Sequence, residues 1–399
     1  MSAASLEATA ARPQGARRPR IAIVSPIIAR LDAISLTAIE TGRALAEALD
    51  AEVVYFTGRS DFRELKARRV ASPVDLLTDP FFVSCDVAVF EFGVFAPLFD
   101  TLLMSHRHRR HIVRFHNITP PELMPPADRD TLTRAWEQVH LLREADLVWA
   151  CSPVNAEVAR EHGVAPERLV LSPLAVEEPA RGTLAAKLAP GSHAVGEPIE
   201  MLFLGRIVAS KGVLDLVQAL GRMAPRLNRP IRMRIAGNME WSPADYVARV
   251  RAAVAESGLA DSIEFLGTVS DAERAALYAR SHLFVLPSYH EGFCKPVVEA
   301  LRAGCLPVTY DAYNLAFIAG GHGRLAKTGD VEALAQALLD VIAGLDRGEA
   351  RTDAGTRTLA AHDAAVDAYV GTFSLEQFRR TVADGVRQVM AQPDRAAEG

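Results

Sequence analysis

Cysteine is scarce in this chain: four residues, at 85, 151, 294 and 305, none of them in a C-x-x-C pair. That pattern suits neither a disulfide framework nor a structural zinc site, and a reducing cytoplasm is the expected compartment. No stretch reaches the roughly 18 uncharged apolar residues that a membrane span requires. Arg12, Arg17, Arg18 and Arg20 are followed by no leader-like apolar run, so secretion is not expected, and residues 1–20 read as a loose tail. Contact of those arginines with anionic lipid is the lesser alternative. Excess positive charge is missing too, with 44 Lys plus Arg against 49 Asp plus Glu and a formal charge of −5. Nucleic acid is therefore not an expected partner. The sequence has no G-x-x-x-x-G-K-[ST], no G-x-G-x-x-G after a strand and no H-E-x-x-H, so ATP-type, nicotinamide and zinc sites lose their usual support. Neither a metal nor another cofactor is expected. Internal periods of 20 to 50 residues are also lacking, which excludes solenoids.

What is present is apolar and rhythmic. With 399 residues, 49% hydrophobic and 23% charged, the chain has material for two or three globular domains. Short β-rich runs alternate with helical periodicity, as in parallel sheets covered by helices on both faces. The first half predicts strands at 21–24, 51–56, 87–90, 111–115 and 147–150, with helices near 36–48, 96–106, 129–143 and 154–161. Gly, Pro and Ala without a period at 180–198 predict a linker. The rhythm restarts with strands at 199–205, 231–237, 262–267, 282–287 and 306–310, a helix near 331–344 and a last amphipathic helix around 374–390. The expected fold is α/β, with two Rossmann-like doubly wound domains, 21–180 and 199–372, around linker 181–198; the segment 373–399 supplies a closing helix that packs back on the first domain. Ligands of such sheets bind beyond the carboxyl ends of the strands, here in the cleft between the domains.

The strongest chemical signal is SYHEGFCKPVVEALRAG, residues 288–304, directly after a strand. Pro296 is placed as the first residue of a helix over 296–303, and Gly304 as its stop. Glu291 and Glu299 then flank one crevice from a loop and a helix. Between them the amides of Phe293, Cys294 and Lys295 precede the helix and can receive anionic or hydroxyl oxygens. Ionised carboxylates at both ends suit the vicinal hydroxyls of a sugar or ribose. Taken alone, Glu291 as a helix cap and Glu299 as a solvated helix carboxylate are an equally good reading.

A second signal is FLGRIVASKGV, residues 203–213, where Gly205, Arg206, Lys211 and Gly212 connect a strand to a helix. Two cations on one loop suit a diphosphate, Arg by bidentate hydrogen bonds and Lys as a point charge. By itself the loop reads better as an ordinary strand-to-helix turn with two exposed cations.

Taken together, GRIVASKG, then FLGTVSDAERAALYARSHLFVLPSYHEGFCKPVVEALRAG with Glu291 and Glu299 spaced E-x(7)-E, resemble the C-terminal half of glycosyltransferase family four, retaining enzymes of the GT-B fold. The likeness covers about 199–345; in the first half only HNITPPE, 116–122, looks like a family segment. The resemblance implies a nucleotide-sugar donor and a glycan or lipid-linked acceptor, with Arg206 and Lys211 on the diphosphate and Glu299 on the ribose. It sets Glu291, with the amides of Phe293 and Cys294, against the transferred sugar, and gives His116 a donor-sugar contact near the reacting carbon. Relatives often have glycine where Cys294 stands, while Lys295 occupies a variable position. Asn117 is a further candidate contact. After the first strand, where many relatives carry paired glycines, this chain reads SPIIARLDAISLTAIE. There Ser35 is expected to cap the next helix, and Asp32 and Ser35 are candidate acceptor or donor contacts.

Two other features point less far. Asp128-Arg129-Asp130 spells D-x-D, but its position after PPELMPPA predicts a helix start. HRHRRH at 106–111 predicts a solvated basic turn, with docking to the inner face of a membrane as the alternative. The expected activity is retaining transfer of a sugar from a nucleotide diphosphate, in surface polysaccharide or glycoconjugate synthesis. A sugar-nucleotide epimerase or phosphorylase-like enzyme, and a silent nucleotide-binding module, are the alternatives.

Overall fold

The computed structural model describes residues 17–30, 32–104, 109–123, 126–189, 196–240 and 242–393. Two parallel sheets carry the fold. The first is built from β1 (Arg20–Val24), β2 (Glu52–Thr57), β3 (Ala67–Arg69), β4 (Val87–Phe92), β5 (Arg110–Phe115), β6 (Leu147–Ala150) and β7 (Leu169–Leu171), in the order β3-β2-β1-β4-β5-β6-β7. The second contains β8 (Ile199–Leu204), β9 (Ile231–Ala236), β10 (Ile263–Gly267), β11 (Leu283–Leu286), β12 (Leu306–Tyr310) and β13 (Arg324–Ala326), in the order β10-β9-β8-β11-β12-β13. Both sheets thus reverse direction of travel at their first strand, which opens a crevice at the carboxyl edge. Val24 pairs with Phe56 and Phe90, and Phe92 with Phe115, so the loops after β1, β4 and β5 leave the first sheet along one edge.

The central strands are buried on both faces and accordingly read as continuous apolar runs. Ile21, Ala22, Ile23 and Val24 have no exposed surface, and neither do Val87 through Phe90. Strand β5 is the exception in composition, since RHIVRF is wholly buried. Its charges are matched: Arg114 Nε lies 3.5 Å from Glu91 Oε2, and Arg110 Nη1 lies 3.4 Å from Asp146 Oδ1.

This corrects the expectation of a solvated basic turn at 106–111. Residues 106–108 lie outside the described residues, but Arg109, Arg110 and His111 are buried. Arg109 donates to the Phe82 carbonyl at 3.1 Å and stacks 4.2 Å over the Phe82 ring. These residues hold the sheet together and offer no free basic face to a lipid surface.

Helix α1 (Ala33–Leu49) covers one face of the first sheet. Helix α2 (Val213–Met223) and helix α3 (Lys295–Arg302) follow β8 and β11 in the second half. The last helix, α4 (Leu375–Met390), returns to the first domain, where Phe378, Val382, Val386 and Val389 share a cluster with Ile21, Ile23, Val87, Ile112 and Trp149. Arg110 Nη2 donates to the Gln392 carbonyl at 3.2 Å and so ties down the end of that segment. The chain passes between the domains twice, and the two passages touch where Val176 N donates to the Phe373 carbonyl at 2.8 Å.

Several expectations shift. The helix near 96–106 is a 3-10 turn, Pro97–Leu103, and 129–143 divides into helix Pro126–Gln138 and 3-10 turn Val139–Glu144. The D-x-D triplet falls within the opening turns of that helix, the side chain of Asp128 lying outside the described residues. The linker holds a short helix, Leu184–Lys187, while residues 190–195 lie outside the described residues. Among the described residues no helix is long and apolar enough to cross a membrane.

Candidate active site

Loops from both domains converge on a cleft of about 520 Å³ lined by, among others, Asp32, His116, Asn117, Gly205, Arg206, Lys211, Glu291, Phe293, Cys294 and Lys295. Ten of the sequence-predicted residues therefore meet in one place, drawn from segments more than 250 residues apart along the chain. A larger cavity, of about 900 Å³, lies behind the interdomain connection against Pro179, Lys187, Arg232 and His282. It gathers none of the sequence-predicted groups, and its Lys187 ammonium already serves the carbonyls of Tyr278 and Ser281 at 2.8 and 2.7 Å. The smaller cleft is the one in which the sequence-predicted groups meet.

The loop after β8 enters a 3-10 turn, Ala209–Lys211, and Gly212 follows at φ +67°. A β-carbon on Gly212 would stand 2.0 Å from the Pro287 carbonyl oxygen, so only glycine lets this loop lie against the strand end. The result places Lys211 Nζ 2.6 Å from Glu291 Oε1. Arg206 is exposed on the rim and makes no ion pair among the described residues.

Helix α3 opens one residue earlier than predicted, with Lys295 first and Pro296 second, while Gly304 at φ +73° follows its last turn as predicted. Its cap, Cys294, adopts the left-handed conformation at φ +69°. Glycine reaches that region without a β-carbon penalty, so Cys294 holds a backbone conformation that suits glycine better. Cys294 makes no side-chain capping bond, so the helix opens on the cleft with its amides undressed by a cap. Lys295 sits half-buried on the wall. Burial lowers its pKa, against the pull of the Glu299 and Glu40 carboxylates.

Glu299 lies deeper, 7% exposed, and does not line the cleft. Tyr278 donates to its Oε2 at 3.0 Å, and Arg274 Nη1 stands 3.6 Å from Oε1. Burial raises its pKa, opposed by Arg274 and Tyr278.

His116 directly follows β5 and is buried. Its Nε2 is 2.5 Å from Glu91 Oε2, and Nδ1 lies 3.9 Å from Cys151 Sγ. Burial works against its charge, but Cys151 and Glu91 outweigh that and raise the pKa to about 9. The Glu91 carboxylate against Nε2 thus favours the charged form of His116. Where the two loops meet across the domains, a β-carbon on Gly292 would stand 2.6 Å from the His116 carbonyl oxygen.

The first loop needs correction. The cap of α1 is Asp32, whose carboxylate accepts from Ser35 N at 2.8 Å and from Ser35 Oγ at 2.6 Å. Ser35 lies inside the helix with no exposed surface, and its hydroxyl also accepts from Ala29 N at 2.9 Å. It neither caps the helix nor reaches the cleft. Asp32 does line the cleft but sets a carboxylate where an anion-binding helix end would need open amides.

Four contributors escaped sequence reasoning. Glu91, the partner of His116, sits inside an apolar strand and carries no motif. Asn155 and Asn314 are lone amides in loops or early helix turns. His290 is adjacent to Glu291 in the quoted motif; its ring meets Tyr313 at 4.4 Å, and burial lowers its pKa to about 4. Only His290 had a signal, its place beside Glu291. Among the described residues no three His, Cys, Asp or Glu side chains gather as a metal site.

Comparison with known proteins agrees with this geometry. Residues 187–358 match the family model described as "Glycosyl transferases group 1". Over 245 residues the chain is 27% identical to O-antigen chain mannosyltransferase B of Escherichia coli, covering 59% of this chain and 62% of that one. Over 206 residues it is 30% identical to lipopolysaccharide core biosynthesis mannosyltransferase LpcC of Rhizobium leguminosarum bv. viciae, covering 51% and 56%. The chain thus spans less than two thirds of the length of these curated relatives. Sucrose-phosphate synthase (tll1590) from Thermosynechococcus elongatus superposes with a TM-score of 0.67 at 20% identity, covering 94% of this chain and all of that one. The chain accordingly has the GT-B fold, and its C-terminal half carries the match to the group 1 glycosyl transferases.

Proposed function

We propose that the protein transfers a sugar from a nucleotide diphosphate, UDP- or GDP-linked, to a glycan or lipid-linked acceptor with retention of configuration and without a metal. The observation that carries this reading is the pairing of Lys211 with Glu291 beside the uncapped start of α3, inside a cleft walled by both domains.

When the sugar–phosphate bond breaks, negative charge grows on the diphosphate. Arg206, Lys211 and the first amides of α3 are placed before the reaction and stabilise that charge increasingly as it develops. Glu291 positions the sugar while its charge offsets Lys211 in the unloaded site. His116, its Nε2 engaged by Glu91, supports the donor by hydrogen bonding and electrostatics in preference to general-base duty. The departing phosphate then takes the acceptor's proton on the same face. Glu299, the ribose contact that the resemblance implies, sits behind the cleft wall with Oε1 beside Arg274 and Oε2 on Tyr278, so ribose hydroxyls reach it only where the nucleotide opens that wall.

The two curated relatives are named mannosyltransferases of O-antigen and lipopolysaccharide core synthesis, which supports mannosyl donors and surface-glycan acceptors as the first to test. The test is a thermal-shift panel of UDP- and GDP-sugars, followed by NMR of the product's anomeric configuration. A ligand at a hundred times its Kd raises stability by about 2.7 kcal/mol. Inversion at the anomeric carbon would overturn retention, change of the donor with no acceptor present would favour an epimerase, and no nucleotide binding would favour a silent module.

A further inference from the structure

Three side-chain amides meet where the domains touch. Asn155 lies in the first turn of helix Pro153–Glu161 of the first domain, whose cap is Ser152. Asn314 precedes helix Leu315–Ala319 of the second. Asn314 Nδ2 donates to Asn155 Oδ1 at 3.2 Å and to the Glu291 carbonyl at 3.2 Å, and it also contacts the Gly292 carbonyl. Asn314 Oδ1 accepts from the Ser152 hydroxyl. On the far side, Asn117 Nδ2 donates to Asn155 Oδ1 at 3.0 Å, and Asn155 Nδ2 donates to the Phe115 carbonyl at 3.0 Å.

This chain of bonds joins the two loops that form opposite walls of the cleft, 115–118 and 290–294. Ser152, Asn155 and Asn314 have no exposed surface. Asn314 occupies a helix-cap position yet makes no capping bond, so its amide is committed to the other domain and to the Glu291 loop. Apolar surfaces in contact tolerate sliding, whereas buried hydrogen bonds are satisfied in one register only. Separation of the domains breaks the two bonds that cross between them, Asn314 Nδ2 to Asn155 Oδ1 and the Ser152 hydroxyl to Asn314 Oδ1, and leaves each amide with the partners of its own domain.

Building on the transferase reading above, we propose that Asn155 and Asn314 are positioning residues that set the register in which the cleft closes, holding the Glu291 loop against the His116–Asn117 loop. A misplacement of about 1 Å at a reacting centre can cost about a hundredfold in rate, so such a register device acts on turnover more than on binding.

The test uses the full chain with Asn155→Ala, Asn314→Ala and the double variant. Turnover and donor KM are read with the best donor, nucleotide Kd by calorimetry, and compaction on UDP or GDP addition by small-angle scattering. Each single variant is expected to lower kcat about ten- to a hundredfold while KM and Kd stay within about threefold. The double variant is expected to be no more than about threefold worse than Asn314→Ala, because Asn314→Ala already removes both bonds that cross between the domains, of which Asn155→Ala removes one. Nucleotide-induced compaction is lost in all three. A folded single variant with kcat near wild type, or costs that multiply in the double variant, overturns the proposal. Where Asn314→Ala fails to fold, Asn314→Ser and Ser152→Ala are read by the same criteria. If the wild type transfers no sugar, the function reading fails by itself, and scattering still decides: equal response to nucleotide in wild type and Asn314→Ala overturns the register role.

Discussion

Lys211 Nζ stands 2.6 Å from Glu291 Oε1, and the two side chains are only 18% and 11% exposed. A donor diphosphate must therefore share Lys211 with a carboxylate that the fold has already placed there. Lys211→Ala removes the cation and leaves Glu291 partly buried with no counter-charge. Arg206→Ala removes the rim cation alone. Both are expected to keep the fold and to lose about 100- to 1000-fold in turnover, equivalent to about 2.7–4 kcal/mol. Steady-state rates of the purified variants check this, and wild-type turnover in either would remove the residue from the charge-stabilising role.

Glu291→Gln separates binding from chemistry. Neutralising that carboxylate frees Lys211 for phosphate, so nucleotide diphosphate affinity is expected to hold or rise a few-fold. Turnover is expected to fall by about two orders of magnitude, as for other residues that act chiefly in the transition state. Calorimetry with UDP and GDP beside kinetics gives both numbers; parallel losses in Kd and kcat would assign Glu291 to ground-state binding.

Two histidines give stability opposite dependences on pH. His116, with its pKa raised to about 9 in the fold, contributes fully below the ordinary value near 6.5, and the contribution fades as pH climbs through 9. His290, lowered to about 4, contributes above 6.5 and loses its share as pH falls toward 4. Melting temperatures across pH 4.5 to 9.5 should show His290→Gln flattening the acid side and His116→Gln flattening the alkaline side. An unchanged profile in either variant contradicts the matching assignment.

Cys294 is held at φ +69°, where a side chain costs roughly 1–2 kcal/mol relative to glycine. Cys294→Gly relieves that strain but empties a buried site, so the two effects nearly cancel and stability should change by less than about 1 kcal/mol. Cys294→Val keeps the volume and adds a branched β-carbon to the strained backbone, and is expected to be clearly worse. Chemical denaturation of the pair tests the order.

The last helix makes a different prediction. Val386→Asp would place a lone charge among Ile21, Val87 and Trp149, a change that costs about 3–5 kcal/mol when no partner is near. The emission of Trp149 should shift red first, because it lies in the domain whose core is opened. Denaturation with the two domains still unfolding together at the wild-type midpoint would contradict the packing.

How much of this was legible in the sequence follows from burial. The double α/β rhythm was readable because strands such as Ile21–Val24 are apolar on both sides. Edge strands such as Ala67–Arg69 were not, since an exposed edge needs no apolar run. The E-x(7)-E and GRIVASKG segments located the cleft because their chemistry is contiguous in the chain. The partners that bring Glu91, Asn155 and Asn314 to the cleft lie between 22 and 162 residues away, and single residues at such separations leave no local pattern. The basic run at 109–111 misled for the opposite reason: a dense local pattern whose charges the tertiary structure turns inward.

The returning helix α4 has a consequence for shuffling this protein with its kin. Exchange at the linker alone would hand the first domain a foreign lid over Ile21, Val87 and Trp149. A viable chimera must carry residues 374–393 together with 17–180, so the genetic unit that encodes the first domain is split into two separate stretches of the reading frame.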